Sequence, residues 1–88
     1  MSMELGNLRK DPTPQDLQDI EIRATGLGKG DLVHDIDNHL GILRMLMFTA
    51  KRKGWTNNHI QDWDEEVGAI NKLIHQVRIE QAKEKGLL

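Results

Sequence analysis

Eighty-eight residues, no cysteine, a formal net charge of −2 and 3% aromatic residues exclude several kinds of protein at the outset. Disulfide staples and thiolate metal sites are ruled out, a slightly acidic chain has no general attraction to nucleic acid or to anionic membranes, and no apolar run approaches the ~20 residues of a membrane span. Such a chain makes one domain, and at this size it buries only ~60–65% of the surface its unfolded form exposes, so a lone core is marginal. The remaining remedies are a metal site built on its four histidines or oligomerisation. Met1 to Lys10 lack the apolar stretch of a secretion signal, and a cytoplasmic protein is expected.

Residues 1–12 read as a flexible, polar N-terminal arm and residues 13–88 as one helical domain. The first helix is expected over about 14–25. Thr13 suits the N-cap, Pro14 the first helical position, and Asp16 stands where a capping box needs an acceptor. Leu17, Ile20, Ala24 and Leu27 follow at helical spacing, and Gly26, Gly28 and Gly30 make a flexible joint that lets this helix pack on its own chain or swap to a neighbour.

The second helix is expected over about 32–53, with Asp31 as its cap. Val33, Ile36, Leu40, Leu43, Met47 and Ala50 recur at alternating steps of three and four, a heptad seam. Leu32, His39, Ile42, Leu46 and Thr49 flank it, and between Ile42 and Phe48 only Arg44 is polar. A helix apolar most of the way round needs cover on several sides. Gly54 ends it and Thr56 can cap the third helix, expected over about 57–85, with Trp55 and Ile60 placed as a hydrophobic staple. The third helix carries one narrow seam of Ile60, Trp63, Val67, Ile70, Ile74 and Val77. The short connection makes helices two and three antiparallel neighbours.

The expected fold is therefore all-α: a short N-terminal helix followed by a long antiparallel helical hairpin. Helix three offers one stripe and helix one is short, so the excess apolar surface of helix two calls for a partner. A homodimer forming a four-helix-bundle-like assembly is favoured, with another protein as the alternative partner. The expected interface residues are Leu32, Ile42, Met45, Leu46 and Phe48, with helix one as a mobile flap. Folding the hairpin at Gly54–Trp55 sets residue i against roughly residue 110 − i. That brings Gly41 opposite Gly68 and Ala69. Helical glycine costs ~1 kcal/mol against alanine, so the coincidence predicts close helix approach or a notch for a partner side chain.

The same folding brings His34 toward His75 and Gln76, with Asp35 and His39 close by. Metal binding needs three or four ligands on converging faces. His34 and His39 are five apart and splay by more than a right angle, so neither a metal nor any other cofactor is expected. The run His34-Asp35-Ile36-Asp37-Asn38-His39-Leu40-Gly41-Ile42-Leu43 resembles the H-box of histidine-kinase dimerisation and phosphotransfer hairpins. That resemblance covers residues 34–43 and implies His34 as phosphoacceptor, Asp35 as its acid/base neighbour and Asn38 in support, on the first helix of a hairpin that pairs into a four-helix bundle. A neutral imidazole is a good nucleophile toward phosphoryl groups, and a neighbouring carboxylate orients it.

Gly26-Leu27-Gly28-Lys29-Gly30-Asp31 lacks the preceding strand and the Ser/Thr of a phosphate-binding loop and reads as a linker. Lys51-Arg52-Lys53 beside Trp55 is a basic run able to touch a phosphate backbone. It is better explained as charge at a helix C-terminus, so a small nucleic-acid-associated protein is the weaker alternative. No set of nucleophile, base and oxyanion donors converges. The leading expectation is a non-enzymatic helical regulator, adaptor or accessory subunit. Phosphotransfer through His34 is its rival.

Overall fold

The computed structural model describes residues 11–87. It contains α1 (Pro14–Ala24), α2 (Asp31–Lys53) and α3 (Asn57–Glu84), with no strand among the described residues. The fold is all-α: α2 and α3 form the antiparallel hairpin and α1 packs chiefly on α2. Of the expected N-terminal arm, residues 1–10 lie outside the described residues, while Pro12 is buried.

The helix starts follow local chemistry. The Thr13 hydroxyl accepts from Asp16 N–H at 3.2 Å and the Asp16 carboxylate accepts from Thr13 N–H at 2.8 Å, a complete capping box with Pro14 next to it. Thr56 caps α3 by accepting from His59 N–H at 3.1 Å. The start of α2 differs from expectation. Asp31 is its first helical residue and Gly30 is the N-cap, with no side-chain cap hydrogen bond. The backbone of Gly30 sits at φ 143°, a conformation open to glycine and closed to aspartate. At the other end Gly54 takes φ 85° and donates to the Ala50 carbonyl at 2.7 Å, stopping α2.

The two heptad seams meet. Ile36, Leu40, Leu43, Met47 and Ala50 of α2 and Ile60, Trp63, Ile70, Ile74 and Val77 of α3 are all buried, with Ile36, Leu43 and Ile70 fully enclosed. Val33 and Val67 are half-buried at the edges of the cluster. Trp55 sets its ring edge-on to Trp63, centroids 5.6 Å apart, and closes the turn end.

α1 is docked on its own hairpin. Ile20 and Leu27 are buried in the common core. Arg44 Nε donates to Glu21 at 2.8 Å, Arg23 reaches Asn71 at 2.9 Å, and Gln81 donates to the Leu27 carbonyl at 2.8 Å. The apolar contacts position α1, and these polar ties bridge it to both long helices.

The glycine pair departs from one of its two expected uses, close helix approach. A Cβ placed on Gly41 or on Gly68 meets nothing within 4 Å, so neither glycine is required by close helix approach. Gly41→Ala should therefore raise the unfolding free energy by about 1 kcal/mol, read by urea denaturation; a loss of stability would show that the backbone needs the bare position. Ile70→Ala, at a fully enclosed site, should cost about 3 kcal/mol in the same measurement.

Candidate functional site

The hairpin has two flanks, and they are not alike. On one, Glu21, Ala24 and Thr25 of the α1 segment lie beside Asp37, Leu40 and Arg44 of α2. On the other, α2 and α3 border an open groove of ≈ 720 Å³. Asp35, Asn38 and His39 form one wall, and Ala69, Lys72, Leu73, His75 and Gln76 the other. His39 Nδ1 and Glu66 Oε1 meet beside it at 2.5 Å, with side chains 30% and 21% exposed. This bond ties α2 to α3 where the groove begins. The sequence reading placed His39 on this flank but did not find Glu66, because a hairpin register is legible only to within about a turn.

The expected interface residues separate into three settings. Ile42, Met45 and Phe48 are exposed by 42%, 71% and 63%. Leu46 is half-buried against the core cluster. Leu32 is also half-buried but lies apart, at the open end of the hairpin, in a hollow of ≈ 470 Å³ with Leu27, Val33 and Val77 among its walls. Phe48 carries the Arg52 guanidinium 5.7 Å from its ring centroid, so one cation of the basic C-terminal turn of α2 lies over an exposed ring.

His34, Asp35 and Asn38 are all exposed. His34 and Asn38 stand one turn apart on the outward side of α2. The groove brings Asp35 and Asn38 together with His39 and His75, while His34 lies outside its walls. No group of three or more histidine or acidic side chains able to hold a metal occurs among the described residues, and no helix there is long and apolar enough to cross a membrane. Comparison with known proteins finds no matching family model, no similar curated protein and no similar solved structure.

A double-mutant cycle with His39→Ala and Glu66→Ala should give a coupling of about 1 kcal/mol, given the partial burial of both groups. Strictly additive losses in thermal or urea unfolding would show that the pair contributes nothing to holding the groove.

Proposed function

We propose that this chain is a non-enzymatic interaction protein that acts as a self-associated helical hairpin. The observation that carries the reading is the exposure of Ile42, Met45 and Phe48, within two turns of one helix, although the core beneath them is complete. Contiguous apolar side chains of this size on a small domain mark a contact surface. The groove supports it: it is open, it is bordered by Ala69 and Leu73 as well as polar groups, and it lies on the flank that α1 leaves uncovered. An interface needs an apolar centre with a polar rim, and α2 has both: apolar residues at its middle, Asp31 and Asp35 at one end and Lys51, Arg52 and Lys53 at the other.

Ile42→Asp tests this reading without touching the core. The wild-type chain should sediment as a dimer at tens of micromolar, and the variant as a folded monomer with unchanged helix content. A wild-type chain that is monomeric in that range would refute self-association.

A second reading has its own support. His34, Asp35 and Asn38 are exposed together at the start of α2, and nothing among the described residues shields the imidazole from a phosphoryl donor. Phosphotransfer would make His34 the acceptor of a labile phosphoramidate, received from a partner and passed on. Acid-labile phosphate on the wild-type chain after incubation with a phosphoryl donor such as phosphoramidate, absent from His34→Ala, would establish it; equal labelling of both, or of neither, would remove it.

A further inference from the structure

The flank of α2 that faces away from α1 carries a second heptad seam, separate from the one that packs on α3. Asp35, His39, Ile42, Leu46, Thr49 and Lys53 follow one another at steps of four, three, four, three and four. At 100° per residue they form a line about a quarter turn round the helix from the core-facing seam. Their burial fits an uncovered flank: Asp35, Ile42 and Lys53 are exposed, and His39, Leu46 and Thr49 half-buried. Asp35 and His39 also form part of the groove wall, so the seam meets the groove at its N-terminal end.

We infer that two copies of this chain pair through this seam with their α2 helices antiparallel, residue i of one facing residue 88 − i of the other. The occupant is a second copy because the seam is complementary to itself only when reversed. In this register Asp35 meets Lys53 of the copy at both ends, His39 meets Thr49, and Ile42 meets Leu46 about the two-fold axis. The layers match as antiparallel coiled-coil packing requires, each position of one heptad kind facing the other kind. The apolar pair is central and the opposite charges lie at the rim. Parallel pairing would set Asp35 against Asp35 and Lys53 against Lys53, a like-charge contact at each end. Antiparallel pairing also opposes the two helix dipoles and brings the basic C-terminal turn Lys51–Lys53 toward the acidic start of the other α2.

The inference rests on the self-association proposed above and adds a geometry that covers Ile42 among its exposed apolar residues. A charge-reversal set tests it by sedimentation at low ionic strength, where exposed pairs are least screened. Asp35→Lys alone and Lys53→Asp alone should each weaken the dimer by about tenfold, since each turns both end pairs into repulsions. The double variant D35K/K53D should return to the wild-type affinity. An equimolar mixture of the two single variants should dimerise as a heterodimer, because the doubly basic α2 then faces the doubly acidic one at both ends. Helix content by circular dichroism keeps misfolding apart from dissociation, and both positions changed, Asp35 and Lys53, are exposed. A dimer indifferent to these reversals, or single variants that neither the double variant nor the mixture rescues, would overturn the antiparallel register and leave self-association standing. A wild-type monomer would overturn both.

Discussion

The structure depends on the contact between the two core seams, centred on Ile36 and Leu43 of α2 and Ile70 of α3, the three large side chains that are fully enclosed. In a cysteine-free chain of 88 residues no covalent or thiolate-metal staple reinforces that contact. It fixes the hairpin register, sets the flank on which α1 can dock and determines which faces of α2 remain open. Burial of apolar side chains supplies the gain; capping hydrogen bonds and bridging pairs such as Arg44–Glu21 and His39–Glu66 select one arrangement among those that bury similar area.

Because α3 is apolar along one stripe, it is satisfied by α2. The reverse does not hold. α2 is covered by α3 on one line and by α1 on one flank, and its other flank and outward side keep Ile42, Met45 and Phe48 in contact with solvent. That imbalance is what the proposed self-association rests on. The hairpin presents long, straight edges on which side chains three and four apart line up. The groove and Ile42 lie along one such edge, Met45 and Phe48 lie round the outward side of α2, and the exposed His34 stands near its acidic end.

Much of this was legible in the sequence, for identifiable reasons. Caps and stops are local, so Thr13, Thr56 and Gly54 could be read from a few neighbouring residues, and the core seams could be read from heptad spacing. Asp31 was misread as a cap because the choice between it and Gly30 turns on a backbone angle that residue type alone does not settle. The Gly41–Gly68 coincidence suggested close approach, yet the space beside both glycines is open; pairing along a hairpin says nothing about which side of each helix a glycine faces. The docking of α1 and the His39–Glu66 bond were out of reach because both depend on three-dimensional register across a joint or a turn. The proposed interface residues stand out in the sequence as an apolar surplus, but Leu32 and Ile42 occupy two separate places on the helix.

The orientation of two copies can be measured directly with one spin label per chain, since no native cysteine interferes. A label on Asn58→Cys, at the exposed start of α3 beside the turn, reports where the two turns lie. Antiparallel α2 pairing puts the turns at opposite ends of the dimer, about 30 Å apart along the helix axis at 1.5 Å per residue. The label sits slightly inward of the turn, so a dipolar EPR distance of about 25 Å or longer is the expected result. A distance below about 20 Å, as parallel hairpins with adjacent turns would give on the same helix geometry, or no dipolar coupling at all, would contradict it.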